Sequence, residues 1–132
     1  MRDFNDDIIL ATNMRNNAYA PYSHYTVGAV LRTINGRRYV GCNVENNGIQ
    51  SICAERVAFC KAISEGERYF ESLVVMGGPE NKPAEKCLPC GYCRQFMSEF
   101  VDKDFKIYNI YDKKVEEYTI EELFPNSFKL EK

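Results

Sequence analysis

The stretch "CLPCGYCRQF", residues 87–96, places three cysteines at two successive intervals of two residues. Four kinds of site use such spacing: an iron–sulfur cluster, a redox dithiol, a closed structural zinc site, and a catalytic zinc site with one open position. A second stretch, "CAERVAFCKAISEG" at residues 53–66, adds a cysteine followed two residues later by a glutamate. The ligand or bond that these cysteines share decides the chemistry, and the fold must bring the two stretches together.

The chain around these stretches alternates between helical and strand patterns. Asn35-Gly36 is a strong hairpin signal, and Thr119 with Glu122 forms a capping box at a helix start. The predicted order begins with a helix over 3–17, capped by Asp3, and strands near 26–33 and 37–43. A helix beginning near Cys53 follows, and its apolar side is Ala54, Val57, Ala58, Ala62 and Ile63. The remaining elements are a strand at "ESLVVMGG", a helix over roughly 91–101, strands at "FKIYNIYD" and "KVEEYTI", and a last short helix. This alternation predicts one layered α/β domain, with the sheet covered by the two helices that start at cysteines.

Length, composition and charge exclude several classes of protein. The chain has 132 residues, of which 45% are hydrophobic and 27% charged, as expected for one globular domain spanning 1–132. A net charge of −2, with basic residues scattered along the chain, argues against a nucleic-acid partner. We find no signal peptide and no stretch long enough to span a membrane, so we expect a soluble, cytoplasmic protein with its six cysteines reduced.

The four kinds of site differ in the further residues that they need. A ferredoxin-type cluster requires a fourth cysteine at position 97, which is Met97. A redox dithiol requires only Cys90 and Cys93 at the start of a helix, and this alternative stays open. A structural zinc site would add Cys87 as a fourth ligand, whereas Cys53 with Cys90 and Cys93 would leave zinc an open position.

The two stretches together resemble one family. "CAE" at 53–55 and "PCGYCR" at 89–94 are similar to the signature of zinc-dependent nucleoside deaminases in its three-cysteine form. "YAPYS", "VGAVL", "GCNVEN" and "ELFP" match the small homotetrameric cytidine deaminases in order and spacing, so the resemblance covers nearly the whole chain. It implies a three-layer α/β/α fold with a mixed central sheet.

The resemblance also implies the reaction and its central residues. Cys53, Cys90 and Cys93 would bind one zinc ion per chain, and Arg56 would donate hydrogen bonds to the zinc thiolates. The zinc would provide a bound hydroxide, with Glu55 as the proton shuttle. The implied function is hydrolytic deamination of cytidine and deoxycytidine to uridine and deoxyuridine in pyrimidine salvage.

The same resemblance assigns the substrate contacts. Asn43 and Glu45 would hold the ribose hydroxyls, and the main chain at Ala54 would meet the edge of the pyrimidine. Tyr25 would lie against the base, and Phe128 would come from a neighbouring subunit of a homotetramer. The expected partner is therefore a small pyrimidine nucleoside, with no nucleic acid and no membrane.

Overall fold

A mixed sheet of five strands runs through the centre of the protein, which a computed structural model describes over residues 2–132. In chain order the elements are α1 (Asn5–Asn17), β1 (Tyr25–Thr33), β2 (Arg38–Cys42), α2 (Ala54–Ser64), β3 (Phe70–Pro79), α3 (Gly91–Ser98), β4 (Lys106–Tyr111), β5 (Lys114–Thr119) and α4 (Ile120–Leu123). The strand order is β2-β1-β3-β4-β5. The β3–β4 pair is parallel and the other pairs are antiparallel.

The first two strands form the predicted hairpin. Arg32 pairs with Arg38, and the turn between them places Gly36 at a φ of 89°, where a side chain would be strained. At the other end of the chain, Thr119 and Glu122 form the predicted capping box of α4. Both local predictions are confirmed.

Helices cover both faces of the sheet, because alternate strand residues point to opposite sides. On one face, α1 packs on a cluster that includes Ala11, Val30, Val74, Met76 and Ile110. On the other face, α2 and α3 pack on a larger cluster that includes Ala29, Leu31, Phe59, Leu73, Met97 and Ile107. The predicted three-layer arrangement, with both cysteine-starting helices on the sheet, is confirmed.

Three details differ from the sequence prediction. Helix α1 begins at Asn5, whose backbone N–H donates to the Asp3 carboxylate over 2.8 Å, and α3 ends at Ser98 rather than near 101. In α2 the buried stripe is Glu55, Ala58, Phe59 and Ala62, whereas the predicted apolar residues Val57 and Ile63 are only half-buried. The stripe follows the i, i+3, i+4, i+7 rule, and it includes a glutamate that an apolar pattern passes over.

Gly41 on β2 lets α2 approach the sheet closely. A Cβ built at Gly41 would overlap the carbonyl oxygen of Ala54 and lie 2.7 Å from the backbone nitrogen of Ala58. The first turn of α2 therefore rests directly on the strand backbone. None of the helices within residues 2–132 combines the length and the apolar character that crossing a bilayer requires.

Candidate metal and active site

Three cysteines converge where α2 and α3 begin. Cys53 is the N-cap residue of α2, Cys90 is the N-cap residue of α3, and Cys93 lies in the first turn of α3. The Sγ atoms of Cys53 and Cys90 are 3.7 Å apart, and those of Cys90 and Cys93 are 3.6 Å apart. All three sulfur atoms lie within 4.8 Å of one another. We call these residues the cysteine cluster.

The geometry of the cysteine cluster fits zinc. Tetrahedral zinc with Zn–S bonds of about 2.3 Å requires sulfur atoms separated by roughly 3.8 Å, close to the two separations in the cluster. The N-termini of two helices point at these sulfurs and favour the thiolate form that binds metal. Within the described part of the chain, Cys87 does not belong to this metal-binding group. Three protein ligands leave zinc one position for a reacting molecule.

Hydrogen bonds between the thiol groups of the cysteine cluster change their pKa values in opposite directions. A hydrogen bond from Cys93 lowers the pKa of Cys53 to about 5, and Arg56 acts in the same direction against the opposing effect of burial. The same hydrogen bond, together with burial, raises the pKa of Cys93. Zinc binding must therefore displace a thiol proton, which couples metal affinity to pH.

Glu55 lies beside the cysteine cluster in the first turn of α2. Its side chain is buried, with 4% of the residue exposed, because the stripe that carries it faces the core. Burial raises the pKa of Glu55 to about 7, and the charge of Cys53 adds to this, while the Glu55 backbone N–H and Arg56 oppose it. A carboxyl group that titrates near neutral pH can both accept and deliver a proton.

A cavity of about 220 Å³ opens next to the cysteine cluster. Its wall contains two of the clustered cysteines, the buried glutamate, the residues expected to hold a ribose, and both polar and apolar neighbours. The lining residues are Val27, Asn43, Glu45, Ser51, Ile52, Cys53, Ala54, Glu55, Cys87, Leu88 and Cys90. The structure thus brings two cysteines of the cluster, a buried carboxyl group and polar side chains to one small concave surface.

Asn43 and Glu45 are held in place by residues near the start of β1. The Asn43 side chain donates to the Tyr25 carbonyl over 2.8 Å and accepts from the Val27 N–H over 2.9 Å. The Glu45 carboxylate accepts from the backbone N–H groups of Tyr22 and Ser23, over 3.1 and 3.2 Å, and from the Ser23 hydroxyl. These bonds keep both side chains on the wall of the cavity.

Two predicted substrate contacts lie outside this wall. Among residues 2–132, Tyr25 and Phe128 do not line the cavity. The Tyr25 hydroxyl instead donates to Glu85 over 3.1 Å. Phe128 lies in the C-terminal segment after α4 and is 64% exposed.

The two arginines that follow the motifs have different partners. An Nη atom of Arg56 lies 3.8 Å from the Cys53 Sγ and 3.3 Å from the Ser51 carbonyl oxygen. Arg94 donates to the carbonyls of Pro89 and Leu123, each over 2.7 Å. Arg56 therefore contacts a metal ligand, whereas Arg94 ties the loop before α3 to α4.

Asn109 supports the wall of the site from the sheet, and the sequence patterns did not single it out. It is fully buried on β4, where its side chain accepts from the Cys87 N–H over 3.0 Å and donates to the Val75 carbonyl over 3.1 Å. The amide thereby joins the loop before α3 to the sheet. An asparagine inside the apolar run "KIYNIY" was the available signal, because a buried polar side chain needs partners.

Cys87 faces the cavity without joining the cysteine cluster. Its Sγ occupies space over Gly77, where an added Cβ would lie 2.5 Å from the sulfur. Burial is the main reason that the pKa of Cys87 is raised to about 11. Cys87 is therefore a neutral thiol in the wall, and the structural zinc alternative loses its fourth ligand.

Comparison with known proteins agrees with this geometry. The sequence model described as "Cytidine and deoxycytidylate deaminase zinc-binding region" matches residues 6–109. A cytidine deaminase of Sporosarcina psychrophila is 41% identical over 119 residues, which cover 89% of this chain and 85% of that protein. A cytidine deaminase of Halalkalibacterium halodurans is 39% identical over 125 residues, covering 92% of this chain and 90% of that protein.

Solved structures show the same fold. The crystal structure of cytidine deaminase from Burkholderia pseudomallei superposes with a TM-score of 0.84 at 35% identity, covering 96% of this chain and 100% of that chain. The cytidine deaminase from Mycobacterium tuberculosis gives a TM-score of 0.77 at 29% identity, covering 97% of this chain and 100% of that chain. The chain therefore belongs to the cytidine and deoxycytidylate deaminase family of zinc-dependent hydrolases, with one zinc site per chain.

Proposed function

We propose that this protein deaminates cytidine and deoxycytidine hydrolytically, giving uridine and deoxyuridine as a step of pyrimidine salvage. The observation that carries the proposal is the shared cavity, which is lined by Cys53, Cys90, the buried Glu55 and the polar pair Asn43 and Glu45. Relatives that are named cytidine deaminases match nearly the whole chain and support the same reaction.

The buried carboxyl group of Glu55 moves the protons of this reaction. Cys53, Cys90 and Cys93 would hold zinc, which would lower the pKa of a water molecule in its open position to roughly 7. Glu55 accepts one proton from the attacking water and passes it to N3 of the pyrimidine; it then takes the second proton from the hydroxyl group formed on C4 and delivers it to the departing ammonia as the C4–N bond breaks. Its burial suits this task, because it brings the pKa of Glu55 to about 7.

The polar pair gives selectivity for a nucleoside. Asn43 and Glu45 hold the ribose hydroxyls, and their hydrogen bonds to the chain orient them for this role. The negative charge of Glu45 repels a phosphate group, which favours nucleosides over nucleotides. The main chain at Ala54, which lines the cavity, meets the pyrimidine edge. Tyr25, which lies outside the cavity wall, contributes through its carbonyl oxygen, which accepts a hydrogen bond from Asn43.

We further propose that residues 1–132 act as one catalytic domain that assembles into a homotetramer. Phe128, which is 64% exposed in the single chain, reaches the site of a neighbouring subunit. The six free cysteines suit the reducing environment of the cytoplasm. A net charge of −2 disfavours a nucleic acid as the substrate.

Cytidine turnover with a matched variant tests this function. Purified protein and Glu55→Gln are mixed with cytidine, the ultraviolet absorbance is followed, and the zinc content of both is determined. We expect turnover only by the unchanged protein, with about one zinc per chain in each. Absence of turnover on both cytidine and deoxycytidine by zinc-loaded protein would contradict the proposal, as would full activity of the variant.

A further inference from the structure

We propose that Tyr92 is a positioning residue, whose aromatic ring holds the guanidinium group of Arg56 against the thiolates of the zinc site. The proposal rests on the cysteine cluster and not on the substrate named above. It assigns a task to a residue that the metal-binding motif uses only as a spacer between Cys90 and Cys93.

The contact joins the two helices that carry the metal ligands. Tyr92 is the second residue of α3, and Arg56 is the third residue of α2. The guanidinium carbon of Arg56 lies 4.1 Å from the centroid of the Tyr92 ring. This distance is well inside the limit of about 6 Å for a cation–π interaction.

The other partners of Arg56 leave its position incompletely defined. One Nη atom contacts the Cys53 Sγ at 3.8 Å and the Ser51 carbonyl at 3.3 Å. No carboxylate within residues 2–132 forms an ion pair with Arg56, and its Nε is buried without a hydrogen-bond acceptor there. The Tyr92 ring therefore supplies a further contact to the guanidinium group.

Core packing does not explain Tyr92. The residue is 66% exposed, so its ring buries little apolar surface within the chain. A planar, weakly hydrated guanidinium group stacks well on an aromatic face, and the electrostatic attraction persists at a partly exposed site. The ring is better explained by what it holds than by what it buries.

The position of Arg56 matters because zinc with three thiolates carries a net negative charge. A hydrogen bond from a cation draws electron density from the sulfur, and losing such an outer partner typically weakens metal binding. Without the aromatic ring, the Arg56 side chain gains rotamers that point it into solvent. The Cys53 thiolate then loses its donor for part of the time.

Zinc retention tests this proposal without any nucleoside. Zinc-loaded Tyr92→Leu, Tyr92→Phe and the control Tyr69→Leu, at a tyrosine that is 75% exposed, are mixed with excess EDTA and zinc loss is timed. We expect loss to be roughly threefold to tenfold faster for Tyr92→Leu, as a cation–π contribution of about 1 kcal/mol implies. Tyr92→Phe and Tyr69→Leu should match the unchanged protein.

A spectroscopic signature separates this role from general loosening of the fold. In cobalt-substituted protein, a thiolate that loses a hydrogen bond holds its electrons less tightly, so the sulfur-to-metal charge-transfer band should move to longer wavelength. We expect this movement in Tyr92→Leu and not in Tyr92→Phe. A band that stays in place in Tyr92→Leu would overturn the proposal.

A double-mutant cycle asks whether Tyr92 acts through Arg56. In an Arg56→Gln background, Tyr92→Leu should not accelerate zinc loss further, because the cation is already gone. If Arg56→Gln loses zinc too fast to time, the cycle compares the zinc affinities of the four proteins, measured by titration against a weaker chelator. Equal acceleration by Tyr92→Leu with and without Arg56 would overturn the proposal, even if cytidine proves not to be the substrate.

Discussion

Glu55 is a carboxyl group placed in a buried stripe, and its environment opposes ionisation. Only 4% of the residue is exposed, and burial is the main reason that its pKa rises to about 7. An apolar side chain of similar size at this position would avoid the cost of burying a carboxyl group. The burial of this carboxyl group fits the proposed role of Glu55 as the proton carrier.

The raised pKa makes a prediction about stability and pH. In zinc-free protein, folded Glu55 keeps its proton up to about pH 7, whereas the unfolded chain releases it near its ordinary value. The folded state therefore binds more protons between these pH values, so this stabilisation is complete below about pH 4.5 and is lost as the pH rises through 7. A shift of this size corresponds to about 3 kcal/mol.

Urea unfolding of zinc-free protein and Glu55→Gln at several pH values measures this difference. The glutamine does not titrate, so groups that do not interact with Glu55 cancel in the comparison. We expect the unfolding free energy of the unchanged protein to fall by about 3 kcal/mol relative to the variant between pH 4.5 and 8. Parallel curves would mean that Glu55 is not held in an unfavourable environment.

Asn109 gives a second prediction for a single residue. Asn109→Leu leaves the Cys87 N–H and the Val75 carbonyl without their buried partner. We expect a loss of about 2 kcal/mol in the free energy of unfolding, because an unpaired buried polar group costs about 1–3 kcal/mol. Chemical denaturation measures it, with Asn13→Leu on the exposed surface of α1 as control. A change no larger than that of the control would show that the amide is dispensable.

The first turns of α2 and α3 carry the cysteine cluster. Gly41 on β2 determines how closely the first turn of α2 packs on the sheet. We expect Gly41→Ala to push the first turn of α2 outward, because the new methyl group would overlap the Ala54 carbonyl. Overpacking of this kind typically costs about 1–3 kcal/mol. Zinc content should fall as well, since Cys53 and Glu55 move with that turn.

The matched control is Gly91→Ala in the first turn of α3. A Cβ at Gly91 meets no atom within 4 Å, although the residue directly follows a cluster cysteine. Thermal unfolding and zinc content should therefore be unchanged in this variant, or slightly improved by the better helix former. Equal zinc loss in both variants would show that the overlap between the new methyl group and α2 is not the cause of zinc loss in Gly41→Ala.

At the scale of the whole molecule, the proposed tetramer places Phe128 of one chain in the active site of its neighbour. Under the proposed tetramer, Phe128→Ala should raise the KM for cytidine several-fold, up to about tenfold, through loss of an aromatic contact. Mixing Phe128→Ala chains with Glu55→Gln chains should restore the low KM at some sites, since one chain supplies Glu55 and its neighbour supplies Phe128. Kinetics of the mixed protein, with sedimentation to measure its size, check this. Absence of restoration in mixed tetramers would place Phe128 outside its neighbour's site.

The sequence by itself determined the local elements and narrowed the candidate metal ligands to the cysteines at two helix starts. Hairpin and capping signals act over a few residues, so the turn at Gly36 and the start of α4 could be read directly. Two cysteine-bearing helix starts have a spacing that few sites use. This cysteine spacing therefore narrowed the possible chemistry to that of thiolate sites. The family resemblance then indicated which cysteines bind zinc and which reaction follows.

Only the tertiary structure decided what surrounds those ligands. Three features depend on residues that are distant in the sequence. They are the burial of Glu55, the exclusion of Cys87 from the cysteine cluster, and the contact between Arg56 and Tyr92. Their physical reason is the packing of α2 and α3 side by side on one face of the sheet. Periodicity shows which face of a helix is apolar, but the atoms that this face meets depend on how the helices and strands pack together.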